Sequence, residues 1–156
     1  MNISHSSTAL LLVATALATL ILVDYASAAE TESDLKLAPC ALVPRAEVEK
    51  IMGELKEAPK SEEGLQKEKE CNYTNKEGAW LKASIYSSER WGLQKGIVSE
   101  MNPSPLEGLG EEAFGVKRGS SYEVYVLKGK WILEISSSAG PDVAKKFAAA
   151  SVKQLP

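Results

Sequence analysis

Pairs of glutamates are the side chains of this sequence that could most simply support catalysis. Two carboxylates on either side of a glycosidic bond can act as general acid and general base. Neighbouring strand positions point to opposite faces, however, and glutamates in charged loops are usually solvated. We therefore expect no catalytic residue and rank a carboxylate hydrolase third among the functional hypotheses. The pairs are Glu62 with Glu63, Glu68 with Glu70, and Glu111 with Glu112.

Histidine chemistry is excluded by composition if the N-terminal segment is removed. The one histidine of the chain, His5, precedes an uncharged apolar run at residues 9–23. A mature protein without histidine has no Ser-His-Asp or Cys-His nucleophile and no imidazole zinc site. Gly108-Leu109-Gly110 lacks the third glycine of a dinucleotide loop, and a turn explains it better. We expect a protein that is not an enzyme and that binds neither a cofactor nor a metal.

The apolar run at residues 9–23 predicts export from the cytoplasm. It has 15 residues, fewer than the roughly 20 that a helix needs to span a bilayer. Ala26-Ser27-Ala28 then supplies the small-x-small pattern of a signal peptidase site. We assign residues 1–29 to a signal peptide that contacts the membrane only transiently, with an uncleaved tether as the alternative. The expected location is periplasmic or secreted.

Cys40 and Cys71, the two cysteines of the chain, predict one structural disulfide. Export would deliver them to an oxidising compartment, where an even cysteine count is typical of a bridge. Closing a loop of about 32 residues would stabilise the domain by roughly 3 to 4 kcal/mol by restricting the unfolded chain. Pairing between molecules and a redox pair are the alternatives, although the Cys-x-x-Cys spacing of redox motifs is absent.

The rest of the chain has the size and charge of one ordinary domain. We expect a flexible lead at residues 30–38 and a single domain at residues 39–156. The chain has 18 basic and 21 acidic residues, a formal net charge of −3, with the two signs interspersed. A nucleic-acid-binding surface needs a basic surplus on one face. Nucleic acid is therefore not an expected partner.

Periodic patterns in the mature chain predict an α+β fold. Leu93, Ile97 and Met101 recur every four residues and indicate a helix, whereas other segments alternate as strands do. Strands joined by tight turns form antiparallel sheets. We expect an antiparallel β-sheet with two or three packed helices, in the order helix, strands, helix, strands, helix. The helices are expected at residues 44–52, 88–101 and 141–155, and the strands at residues 70–74, 80–86, 113–118, 122–128 and 131–136.

Aromatic side chains on the face opposite the expected core are the candidate ligand-binding residues. If Leu81, Ala83 and Ile85 point inward, their neighbours point outward, and the same holds on the later strands. Trp and Tyr anchor interfaces because they bury much area at a low entropy cost. A helix covering this face is the alternative and would make the cluster ordinary core, as we expect for Trp91 and Trp131. The candidates are Trp80, Tyr86, Tyr125 and Leu127.

Four short motifs lie along the mature chain: Pro39-Cys40-Ala41-Leu42-Val43-Pro44, Met52-Gly53, Cys71-Asn72-Tyr73 and Gly108-Leu109-Gly110-Glu111-Glu112-Ala113-Phe114. Together they resemble a broad family of secreted bacterial proteins and lipoproteins, little characterised, with a sensor-like extracytoplasmic α+β domain. The resemblance covers nearly the whole mature chain and implies a bridged cysteine pair and a ligand bound in a cleft or on a sheet face. This chain lacks a lipobox, so the resemblance does not imply a lipid anchor.

The functional hypothesis that follows is an exported binding domain without catalytic activity. Its partner would be a small ligand, an envelope component or a protein, met by a sheet face or a cleft. The alternative is a proteinaceous inhibitor or accessory factor that acts on a partner enzyme in the periplasm or outside the cell.

Overall fold

The computed structural model describes residues 37–64 and 68–156. The expected signal peptide, and the expected lead up to residue 36, lie outside these ranges. No helix within them is both long enough and apolar enough to cross a bilayer.

Proline and glycine mark the ends of two of the three α-helices in the described ranges. Pro44 precedes the first helix, and Gly53 ends it with φ 91°, a conformation that glycine adopts without strain. Gly140 and Pro141 begin the last helix. Short 3-10 turns extend the second helix at both ends. The helices are α1 (Arg45–Met52), α2 (Trp91–Val98) and α3 (Pro141–Val152).

The strands of the described residues form one antiparallel seven-stranded sheet in the order β1-β2-β3-β7-β6-β5-β4. The fold is therefore α+β, as predicted. β7 lies at the centre because it pairs with β3 on one side and with β6 on the other. The strands are β1 (Lys60–Glu63), β2 (Lys69–Thr74), β3 (Trp80–Ser87), β4 (Ser104–Pro105), β5 (Glu112–Arg118), β6 (Ser121–Lys128) and β7 (Trp131–Ser137).

The main core lies between one face of the sheet and the helices α1 and α3. Val48 of α1 and Phe147 of α3 are fully buried against alternate residues of the central strands. The Phe147 ring contacts the edge of the Tyr73 ring, with 5.2 Å between the centroids. The inward-facing residues expected on β3 and β6 all belong to this core: Leu81, Ala83, Ile85, Val124 and Val126 are buried and Tyr122 packs against them.

The predicted disulfide between Cys40 and Cys71 is present. It links the 3-10 turn Pro39–Ala41 to β2, and the two Cα atoms lie 5.1 Å apart. Cys71 is completely buried. The bridge thus holds the segment that leads into α1 against the sheet, in keeping with an oxidising compartment.

A second, smaller core lies on the opposite face of the sheet, beneath α2. Trp91 and Val98, seven positions apart on α2, are buried against Phe114, Tyr125 and their neighbours. The Phe114 ring lies between the other two aromatic rings, 5.2 Å from Trp91 and 5.1 Å from Tyr125. This helix covers part of the face on which we expected exposed aromatic side chains.

Candidate ligand-binding cleft beside helix α2

Strand register places the four predicted binding residues on one sheet face, but not at one point. Tyr86 and Leu127 both lie opposite Ile132 of β7, in one cross-strand row. Tyr125 lies opposite Glu134 in the next row. Trp80 is six residues from Tyr86 along β3, or about 20 Å at the usual rise of a strand. Trp80 therefore cannot share a small ligand with Tyr86.

Burial separates these residues further. Trp80 is 40% exposed, whereas Tyr86 and Leu127 are half-buried. Tyr125 is only 2% exposed, because the Phe114 ring stacks on it and α2 closes over both. The expected exposure of Tyr125 is thus wrong, and its ring belongs to the second core. Of the two tryptophans expected in the core, Trp91 is buried and Trp131 is half-buried.

The apolar periodicity of α2 faces solvent instead of the sheet. Leu93 is 61% exposed, and Ile97 and Met101 are also exposed. The sheet-facing positions are taken by Trp91 and Val98, whose larger contact with Phe114 and its neighbours decides how the helix sits. The outer side of α2 and of the 3-10 turn that follows it therefore presents an apolar stripe, formed by Leu93 and Ile97 of α2 and Met101 of the turn.

A hydrogen-bonded carboxyl group lies where α2 meets the strands β3 and β7. The Tyr86 hydroxyl donates to Oε2 of Glu134 at 2.5 Å and accepts from Nε2 of Gln94 at 2.6 Å. Gln94 Nε2 also lies 3.4 Å from the same Glu134 oxygen. Gln94 belongs to α2, so this network joins the helix to the two strands.

Burial raises the pKa of Glu134, because the carboxylate loses much of its hydration under α2. The hydrogen bond from Tyr86 opposes this effect, and the nearby charge of Glu123 adds to it. Burial likewise raises the pKa of the Tyr86 hydroxyl, and the adjacent Glu134 raises it further. Tyr86 therefore stays a hydrogen-bond donor at neutral pH.

The second carboxyl oxygen of Glu134, Oε1, is open to a ligand. Both donors that reach Glu134 from the described residues bond to Oε2. Among these residues, the one buried side-chain polar atom without a partner is Nε1 of Trp131. Oε1 of Glu134 is accordingly reached by solvent and can accept a hydrogen bond from outside the protein.

A cleft of about 130 Å³ lies between α2 and the sheet and opens onto Glu134. We call it the Glu134 cleft. Leu93 and Ile97 form its apolar wall, and Arg90 contributes a cation whose Cζ lies 6.0 Å from the centre of the Tyr86 ring. The cleft is mainly polar with an apolar wall, and convergent polar groups with a perturbed pKa in a cleft are features of many binding sites. The cleft is lined by Glu68, Tyr86, Arg90, Leu93, Gln94, Ile97 and Glu134.

A wider and shallower groove of about 350 Å³ runs along the other side of α2, toward β4 and β5. Phe114 and Val98 line it together with prolines 103 and 105. The carboxylate of Glu112 accepts from Trp91 Nε1 at 2.7 Å and from Lys95 at 3.0 Å across this groove. Its polar groups are thus already satisfied by each other. We call it the Phe114 groove.

The described residues contain no group of three or more histidine, cysteine or acidic side chains placed to hold a metal ion. Glu111 and Glu112, one of the three glutamate pairs considered for catalysis, have different partners. Glu111 accepts from the Gly129 N–H, whereas Glu112 bonds to Trp91 and Lys95.

Sequence reasoning missed Glu134, Gln94 and Arg90, and a signal existed for one of them. Glu134 interrupts an otherwise apolar strand, Trp131-Ile132-Leu133-Glu134-Ile135. A lone carboxylate in such a strand must face either water or a polar partner, since burying it unpaired is costly. Gln94 and Arg90 carry no comparable signal, because their position depends on how α2 docks.

Comparisons with known proteins leave the family open. No protein-family model matches the chain, and no curated protein is significantly similar to it. A solved structure described as a GTP binding regulator, from Thermotoga maritima, is similar over 75% of this chain and 90% of that one, with 13% sequence identity and a TM-score of 0.45.

Proposed function

We propose that the protein is an exported binding domain, not an enzyme, and that it holds a small ligand in the Glu134 cleft. The observation that carries the proposal is the accessible oxygen of Glu134 at the base of a cleft with an apolar wall. A buried carboxyl group costs stability unless it is paired. A cleft that retains such a group, with one oxygen free to accept a hydrogen bond, is suited to binding a ligand.

The site is also built on rigid elements. Tyr86 and Glu134 lie on adjacent strands at the centre of the sheet, and Gln94 connects them to α2. A ligand would meet side chains that are already oriented, which lowers the entropy cost of binding. The disulfide supports export because such bridges persist in oxidising compartments.

Fragment binding followed by NMR tests this function. Small polar-apolar fragments should shift the backbone amide signals of β3, β7 and α2 near Tyr86, Glu134 and Gln94. Leu93→Arg should abolish the shifts, because it fills the cleft mouth from an exposed position where it cannot disturb the core. Trp80→Ala, far away on the same face, is the matched control and should leave them unchanged. Shifts confined to the Phe114 groove, or none at all, would contradict the proposal.

The alternative function, an inhibitor or accessory factor for a partner enzyme, is favoured by one observation. The stripe of Leu93, Ile97 and Met101 exposes large apolar side chains on α2, and such patches often mark protein interfaces. Pull-down from periplasm or culture fluid separates the two functions. A stoichiometric enzyme that is captured by the wild type and lost with Met101→Ser would favour inhibition, since Met101 does not line the Glu134 cleft.

A further inference from the structure

We infer that the ligand of the Glu134 cleft is a small zwitterion, an α-amino acid with one apolar side chain. The inference rests on the proposed function and adds the chemistry of the ligand. Three parts of the cleft suit such a ligand: an open carboxylate oxygen, a guanidinium group without an ion pair to any described residue, and an apolar wall.

The carboxyl end of the cleft suits an ammonium group. Oε1 of Glu134 has no donor among the described residues, and the Glu68 side chain lines the same space. An ammonium group brings three hydrogen-bond donors and a positive charge, so it can bond to Oε1 and balance the buried carboxylate. A ligand carboxylate at this point would instead meet the carboxyl group of Glu134.

The other polar group of the cleft suits a carboxylate. Arg90 takes part in none of the ion pairs found between described residues. Its guanidinium group lies over the Tyr86 ring, whose hydroxyl is bonded to Glu134. Arg90 and Glu134 thus both lie beside Tyr86, Arg90 at the ring and Glu134 at the hydroxyl. Guanidinium groups bind carboxylates through two parallel hydrogen bonds, so Arg90 can hold the acid end of a ligand whose amine is on Glu134.

The size of the cleft limits the rest of the ligand. Leu93 and Ile97, four positions apart, offer apolar contact on the α2 side. A volume of about 130 Å³ is close to that of an engineered cavity, about 150 Å³, that accepts benzene. One branched or aromatic side chain fits this space.

Calorimetric titration with leucine and its truncated relatives tests the inference. Leucine should bind at least about tenfold more tightly than 3-methylbutylamine, which lacks the carboxylate, and than 4-methylpentanoate, which lacks the amine. Glycine, which lacks the apolar side chain, should bind more weakly than leucine. If the amine or the acid alone binds as tightly as leucine, the zwitterion is wrong while the binding function stands. If none of the probes binds and no fragment shifts the cleft signals, both are wrong.

Two variants test which residue binds each charged end of the ligand. Arg90→Ala should weaken leucine and 4-methylpentanoate by about tenfold and leave 3-methylbutylamine unchanged. Glu134→Gln should weaken leucine and the amine and leave the acid unchanged. Arg90 lies outside both cores, so its variant remains informative even if Glu134→Gln disturbs α2. Equal weakening of all three probes by Arg90→Ala would overturn the inference.

Discussion

At the residue scale, Glu134 and Glu112 are carboxylates on the same sheet face with opposite electrostatic surroundings. Burial raises the pKa of Glu134. The indole N–H of Trp91, followed by Lys95, holds the pKa of Glu112 below its usual value. The two groups therefore link stability to pH with opposite signs.

Glu134→Gln should flatten one part of the pH dependence of stability. A carboxyl whose folded pKa is raised contributes stability that is complete below its unfolded value of 4.5 and is lost as pH rises through the folded pKa. The stability of the variant relative to the wild type should therefore increase as pH rises from 4.5. Urea unfolding across this range measures the difference. The charged or titratable groups around Glu134 are Glu68, Lys82, Tyr86, Arg90, Arg118, Glu123 and Tyr125.

Glu112→Gln is the matched control for this experiment. The folded pKa of Glu112 is lowered, so its contribution is present above 4.5 and is lost as pH falls. This variant should lose most relative to the wild type at neutral pH and least in acid. Parallel pH curves for the two variants would contradict the assignment of Glu134 as a buried carboxyl.

Tyr125 and Trp80 should respond differently to truncation, contrary to the expectation that both are surface residues. Tyr125→Ala removes a ring stacked on Phe114 in the second core and should cost about 3 to 5 kcal/mol of unfolding free energy. Trp80→Ala should cost far less, because its side chain is partly in water. Tyr125→Phe isolates the hydroxyl, which donates to Glu123 at 2.8 Å. Equal losses for the two alanine variants in denaturant titrations would refute the distinction.

At the element scale, α2 lies across one face of the sheet and forms a wall of both the Glu134 cleft and the Phe114 groove. It is short and contains two glycines, yet two buried side chains and the Gln94 hydrogen bonds hold it in place. Isolated helices of this length are unstable in water. Its position is therefore decided by tertiary contacts, and so is the shape of the Glu134 cleft.

Gly92→Ala and Gly96→Ala should each stabilise the protein by about 0.5 to 1 kcal/mol. A Cβ at either position would meet no atom within 4 Å, and neither glycine has a positive φ. Alanine then lowers the entropy of the unfolded chain and improves helix propensity without a steric cost. Thermal unfolding measures the gain. A loss of stability in either variant would mean that α2 packs differently from the structure described.

The turn before β5 depends on Gly110 for a different reason. Gly108 and Gly110 both have positive φ, but only at Gly110 would a Cβ collide with backbone, 2.3 Å from the Leu127 carbonyl oxygen. Gly108→Ala should cost about 1 kcal/mol for backbone strain alone, and Gly110→Ala distinctly more. Chemical denaturation of the two variants compares them. Equal costs would show that the close approach to β6 is unimportant.

At the scale of the whole molecule, the sheet separates two cores that differ in size and in the elements they hold together. The larger core joins α1 and α3 to the sheet and is tied by the disulfide. The smaller one carries α2 and the Glu134 cleft. The main core keeps the strands aligned and thereby fixes Tyr86 and Glu134 on β3 and β7.

Removing the disulfide should reduce stability without dissolving the fold. The bridge spans 31 positions, so the double variant Cys40→Ala/Cys71→Ala should lose about 3 to 4 kcal/mol on the chain-entropy model. Alanine avoids placing a hydroxyl at the completely buried position 71. Urea unfolding of the variant and of the oxidised wild type measures the loss. An unchanged midpoint would contradict a structural role for the bridge.

The sequence by itself determined the α+β class, the bridge between Cys40 and Cys71, and which residues of β3 and β6 face the main core. It did not predict the edge strands β1 and β4, whose residues are all exposed and carry no apolar alternation. Strand alternation and helix signals are local, so they survive in any tertiary arrangement. Only the tertiary structure decided that Tyr125 is buried, that Leu93 and Ile97 face outward, and that Glu134 has a cleft above it. Each of these depends on which side α2 turns to the sheet, and packing against residues distant in sequence selects that side, which the period of the helix leaves open.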